Sequence, residues 1–182
     1  FRSDLMPKSI FITNIKTPYI KRLKTSLSAL LGATALLSLG LSTPVMADDF
    51  VITSGTTTNN GETINGGDTV SVTGTIDTGT TTDEGGIETT GSNTITVSTD
   101  GIIKTGGTGA DGIWNQDDTN ITTMSGSITT LNTSSAGVHN ESNSNNTTVS
   151  GSITTSGRYG HGIANVGDTN TTTVSGLSLI HI

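Results

Sequence analysis

One phrase, repeated at fixed spacing, constrains the fold of this chain more than any other feature. Thr123-Met124-Ser125-Gly126-Ser127-Ile128-Thr129-Thr130 returns as Thr148-Val149-Ser150-Gly151-Ser152-Ile153-Thr154-Thr155, and then begins again as Thr173-Val174-Ser175-Gly176. Each copy starts 25 residues after the last. Gly112, Gly137 and Gly162 keep that spacing, as do Ile113, Val138 and Ile163, then Asn115, Asn140 and Asn165, then Asn120, Asn145 and Asn170. A period of this size marks units that bury their apolar residues only by stacking on neighbours.

Alternation within a unit puts Ile153 with Thr155, Ile163 with Asn165 and Thr172 with Val174 on one side, and period two argues strand. Thr, Val and Ile suit strands, while Gly, Asn, Asp and Ser punctuate them. No 3.6-residue pattern follows Ala47, and no proline lies beyond it. The expected fold is all-β, a right-handed parallel β-helix of about 25-residue coils. Val72, Val97, Met124, Val149 and Val174 mark about four coils over residues 72–176, with three intervals of 25 and one of 27. The long interval holds Thr99-Asp100, placed at a corner, where insertions are tolerated. Residues 48–71 read as an N-terminal cap, with Phe50, Val51 and Ile52 covering the first coil. About three aliphatic contacts per coil make a lean core, so a stack this short is expected to be marginally stable alone.

The ends read differently. Lys8, Lys16, Lys21, Arg22 and Lys24 precede an apolar run from Leu27 to Leu41 and a small-residue cleavage site at Val45-Met46-Ala47. Residues 6–47 are therefore expected to be a secretory signal peptide, its apolar run too short to span a bilayer. Residues 1–5 and 177–182 resemble adapter read-through, because the repeat fails within one residue of Gly176, and the repeat itself is expected to continue. Between Asp48 and Gly176 only Lys104 and Arg158 are basic, against 14 acidic residues. Such a surface repels phosphates and argues against nucleic-acid binding. There is no cysteine, so stacking must replace disulfide stapling.

Asn115, Asn140 and Asn165 follow an inward aliphatic by two residues, which stacks them inside, one above another. Amides at strand spacing donate to and accept from identical neighbours, so a structural ladder is expected there. Trp114 and His139 share an outward column that Ala164 completes, an aromatic platform suited to a sugar ring. Tyr159 clusters with Arg158 and His161 in a Gly-rich loop, where function often sits. These three, Trp114, His139 and Tyr159, are the ligand-contact candidates. Gly106 to Trp114 matches one calcium-binding nonapeptide, but the aligned stretches of later coils lack its aspartate, and a lone copy offers too few oxygens. Asp118 and Asp168 share a column two coils apart, about 10 Å, too far to share a proton. No nucleophile stands with a base, and no cofactor or metal is called for, so the chain reads as a non-enzyme. Thr123, Thr148 and Thr173 form a threonine column that raises ice binding, but Ile121, Asn146 and Thr171 beside it break the array.

A long basic leader, an apolar export segment, the absence of cysteine and the repeated Gly-Ile-x-Asn with Asn-Thr-Thr-Thr-Val-Ser-Gly-Ser-Ile-Thr-Thr texture together resemble the start of a bacterial autotransporter passenger. That resemblance implies a Gram-negative surface protein exported by the Sec machinery, whose β-helical passenger is threaded through a C-terminal outer-membrane barrel absent from this chain. By analogy it implies a structural and adhesive role, with glycans or proteins of host or neighbouring cell surfaces as partners. The alternative is a secreted β-helical enzyme that degrades polysaccharide.

Overall fold

The computed structural model describes residues 49–180, and the leader expected over residues 6–47 lies outside them, as does the segment 1–5. Turn one consists of β1 (Phe50–Ile52), β2 (Thr57–Thr58) and β3 (Glu62–Ile64). Turn two is β4 (Thr69–Val72), β5 (Thr75–Asp77) and β6 (Ile87–Thr89), and turn three is β7 (Thr94–Val97), β8 (Ile102–Thr105) and β9 (Ile113–Asn115). Turn four is β10 (Ile121–Met124), β11 (Ser127–Thr130) and β12 (Ala136–Asn140), and turn five is β13 (Asn146–Val149), β14 (Ser152–Thr155) and β15 (His161–Asn165). A sixth opens with β16 (Thr171–Val174) and β17 (Leu177–Ile180).

Every third strand stacks on the one before it. The first sheet runs β1-β4-β7-β10-β13-β16, the second β2-β5-β8-β11-β14-β17 and the third β3-β6-β9-β12-β15. Pairing is parallel throughout the described strands, as in Ile128↔Ile153 of the second sheet and Val138↔Ile163 of the third. The described residues form an all-β parallel β-solenoid. Residues 50–64, expected as a cap, form a full turn of their own: Ile52 pairs with Val72 and Glu62 with Ile87. Its second corner, residues 59–61, is far shorter than residues 78–86 of the next turn, so the spacing to that turn is 20 residues on the first sheet and 18 on the second, and stays at 25 on the third alone.

Alternation puts one β-branched or aliphatic residue in two against the interior. In β10, Thr122 and Met124 are buried while Ile121 and Thr123 face out. Ile76, Ile103, Ile128 and Ile153 line the second sheet, Ile87, Ile113 and Val138 the third, and Val72, Val97, Met124 and Val149 the first, all without solvent exposure. Each such side chain contributes about 1.5–3 kcal/mol by leaving water.

The corners explain the rest of the repeated phrase. At Ser125-Gly126 two successive N–H groups donate to Val97 O, at 2.7 and 3.3 Å, which folds the chain tightly over the turn before it. A Cβ at Gly126 would overlap the carbonyl oxygen of Gly101, and at Gly151 that of Gly126, so only glycine fits. Gly112 and Gly137 are fixed by the core instead, since a Cβ there would strike the Ile128 and Ile153 side chains. The second corner carries a left-handed residue in register, Asp83, Gly109, Ser134 and Tyr159 at φ of 56, 72, 60 and 61°, and the third carries Thr119, Ser144 and Thr169 at 65, 58 and 60°. Non-glycine residues there cost about 1–2 kcal/mol each. Bonds between turns hold them, such as Ser134 N to Arg158 O at 2.9 Å and Thr119 N to Asn143 O at 3.1 Å. Thr99-Asp100 forms the expected exposed corner, closed by Gly101 N to Ser98 O at 2.8 Å.

Candidate functional site

Two asparagine columns run through the solenoid. Asn115 Nδ2 donates to Asn140 Oδ1 and Asn140 Nδ2 to Asn165 Oδ1, each at 2.7 Å. The same amides reach the first sheet of the following turn: Asn115 donates to Thr122 Oγ1, Asn140 to Thr147 Oγ1 and Asn165 to Thr172 Oγ1, at 3.1–3.2 Å. Asn115 and Asn140 are fully buried, and the Thr89 hydroxyl closes the column by donating to Asn115 Oδ1 at 3.4 Å. In the second column Asn93, Asn120 and Asn145 each donate a backbone N–H to the side-chain oxygen of the next asparagine, at Asn120, Asn145 and Asn170, all at 2.8 Å. Their own amides fasten the preceding corner, as Asn120 Nδ2 does to Asp117 O at 2.7 Å. These columns satisfy groups that would otherwise be costly to bury.

Outward chemistry gathers on the third sheet. Its register places Thr63, Glu88, Trp114, His139 and Ala164 in one column. The Trp114 and His139 rings lie parallel, 10° between planes and 6.0 Å between centroids. Trp114 Nε1 donates to Glu141 Oε2 at 2.9 Å. His139 Nδ1 meets Asp111 Oδ2 at 2.9 Å, while Asp111 Oδ1 accepts from Ala136 N at 2.5 Å. Asp111 is buried, held just before the corner glycine Gly112. Its hydrogen bond raises the His139 pKa above the usual 6.5; burial of the ring opposes this, and the charges of Asp111 and Glu141 add to it. The aspartate of the calcium-like nonapeptide is Asp111, so both of its oxygens are already engaged within the protein.

Tyr159 stands apart on the second corner of turn five. It is 60% exposed, with the Arg158 guanidinium 4.7 Å from its ring centroid. No hydrogen bond or ring contact among the described residues joins it to Trp114 or His139. Farther toward the N-terminal end of the third sheet lies an open cleft of about 310 Å³, lined by Glu62, Asp83, Glu84 and Glu88 with Gly61, Thr63 and Gly85. Glu84 Oε1 accepts from Gly61 N at 3.0 Å and Glu88 Oε1 from Gly85 N at 3.3 Å. Burial pushes the Glu62 carboxyl up. Asp117 and Asp118 act on backbone too, accepting from Gly91 N below and Asn143 N above, at 2.6 Å each. Among the described residues no group of three or more His, Asp or Glu side chains is disposed to hold a metal ion.

The sequence places Trp114 and His139 side by side, and the structure adds what spacing alone does not expose. Asp111 and His139 are 28 positions apart and Trp114 and Glu141 are 27 apart, off the 25-residue grid on which columns are counted. An indole, an imidazole and the Glu141 carboxylate, gathered across turns three and four, can contact hydroxyl-bearing or cationic groups. No family model matches the chain, and neither a curated protein nor a solved structure matches it.

Proposed function

We propose that this chain is the N-terminal part of an exported, surface-displayed β-helical passenger whose role is structural and adhesive. The observation that carries the proposal is the unbroken in-register stack of parallel turns, with its interior satisfied by its own ladders and its aromatic and charged chemistry gathered outward on the third sheet and its corners. Such a rod presents side chains at regular height along one face and needs no ligand for its own integrity. In this reading Trp114, His139 and Tyr159 meet glycans or proteins on a host or neighbouring cell. The leader delivers the chain to the Sec machinery, and an outer-membrane barrel belonging to the same protein anchors it at a Gram-negative surface.

Two measurements test it. Expressed in a Gram-negative host, the exported protein should begin at Asp48, and retention of residues 6–47 overturns the export claim. Beads coated with the chain should bind cells or a surface-glycan panel, with binding lowered in Trp114→Ala and Tyr159→Ala. Bare-bead levels of binding by the unaltered chain remove the adhesive part. The cleft favours a second reading, a secreted enzyme acting on polysaccharide, because a raised Glu62 beside other carboxylates has the character of a general acid. Release of reducing sugar that disappears in Glu62→Gln would select it.

A further inference from the structure

The Trp114 and His139 cluster joins two turns as well as facing outward. Turn three supplies Asp111 and Trp114, and turn four supplies Ala136, His139 and Glu141. Three side-chain bonds cross between them: Asp111 Oδ1 with Ala136 N, Asp111 Oδ2 with His139 Nδ1, and Trp114 Nε1 with Glu141 Oε2. The parallel rings are a fourth contact. Asp111 with His139 is the one ion pair among the described residues, and its strength depends on whether the imidazole carries a proton.

The surroundings of His139 point in one direction. From turn three it faces the Asp111 carboxylate and the indole of Trp114, whose own outward neighbour one turn further is Glu88. On its own strand Glu141 follows two residues later. From turn five the residue opposite is Ala164, which carries no charge, while His161 lies opposite Ala136. A protonated ring therefore meets a buried carboxylate, a second carboxylate and an aromatic neighbour, and among the described residues no cation stands opposite it. A neutral ring keeps at most the Nδ1 hydrogen bond and loses the charge attraction and any cation–π contribution.

We propose that this cluster is a proton-operated clamp between the third and fourth turns, closed while His139 is protonated and loosened when the proton leaves. The direction follows from linkage. His139 binds its proton more tightly in the folded chain than in the unfolded one, so the clamp acts fully below the usual histidine value of 6.5 and is lost as pH rises through the higher folded value. Between those two values, small changes in acidity then alter how firmly the outward pair is held.

Trp114 is the chain's single tryptophan, so its emission reports the clamp directly. Emission of the whole chain, followed from about pH 5 to about pH 9 to span the histidine range, should show one step with its midpoint above 6.5. His139→Gln should abolish the step, Asp111→Asn should move its midpoint down toward the usual value, and His161→Gln should leave it in place. Exchange of the Ala136 amide hydrogen, corrected for the intrinsic pH dependence of exchange, should become less protected above the midpoint. A step that survives His139→Gln, or a midpoint that Asp111→Asn does not move, overturns the clamp. Should either variant fail to fold, the His139 ring resonances of the unaltered chain decide the matter, and titration at or below the usual value rejects the proposal.

Discussion

Turns one and two are held together by hydrocarbon, while turns four and five are held in large part by amides and hydroxyls. The inner column of the first sheet passes from Val70 and Ile95 to Thr122, Thr147 and Thr172. The matching column of the third sheet passes from Ile64 through Thr89 to Asn115, Asn140 and Asn165. The two columns change together because each asparagine amide donates to the threonine hydroxyl across the interior. Spacing changes with them. The first-sheet anchors step by 20, 25 and 27 residues from Ile52 to Met124, and then by 25 and 25 to Val174. Apolar contact is non-directional and tolerates corners of different length. A hydrogen bond is directional, and an amide ladder closes only if identical groups meet in register. The strict period is thus a property of the polar half.

The contrast can be broken most sharply at Asn140. Replacing it with alanine strands one N–H of the buried Asn115 amide and the buried Thr147 hydroxyl, while the exposed Asn165 turns to water, and should cost roughly 2–5 kcal/mol, at about 1–3 per buried orphan. Urea unfolding followed by circular dichroism reads it, and a loss under about 1 kcal/mol would falsify the ladder as the support of this half. In the apolar half, Ile87→Val should cost only about 1 kcal/mol, since hydrocarbon neighbours partly close the gap. Next in size is Gly137→Ala, which drives a methyl into Ile153 and the Gly162 carbonyl and should destabilise by about 1–3 kcal/mol. An unchanged melting temperature would show that the packing around β12 yields.

A smaller effect, of opposite sign, is expected at Thr130. Among the described residues its hydroxyl and that of Thr155 are buried without a partner, whereas Thr105 in the same column donates to Ala110 O at 2.7 Å. Thr130→Val keeps the shape and should stabilise by about 1 kcal/mol, so a destabilised variant would reveal a partner for that hydroxyl. Least of all should follow from deleting Thr99 and Asp100. They lie in an exposed corner between registers that already match on both sides, and the change should stay within about 0.5 kcal/mol by thermal melting.

The polar half was legible in the sequence because its bonds join like to like at one spacing, so Asn115, Asn140 and Asn165 appear as a column in the text itself. Turn one was not legible. Its short second corner shifts the spacing on the first two sheets to 20 and 18 residues, and Ile52, Phe50 and Ile64 carry no motif beyond being apolar. Asn93 belongs to the second asparagine column but sits 27 residues before Asn120, because the Thr99-Asp100 corner falls between them. The candidate site was half legible for a related reason. The Trp114 and His139 column lies on the grid, but their partners Asp111 and Glu141 reach diagonally from corners, and such reach depends on side-chain length rather than on spacing.

The asparagine columns also bear on how a gene for such a rod can change in length. A point substitution in a column meets two unaltered neighbours and leaves both mismatched. A duplicated segment of 25 residues meets copies of itself, so every amide finds its acceptor and every corner glycine its carbonyl. For this kind of chain, gaining or losing a whole turn by recombination between near-identical stretches is a gentler change than altering one of its letters.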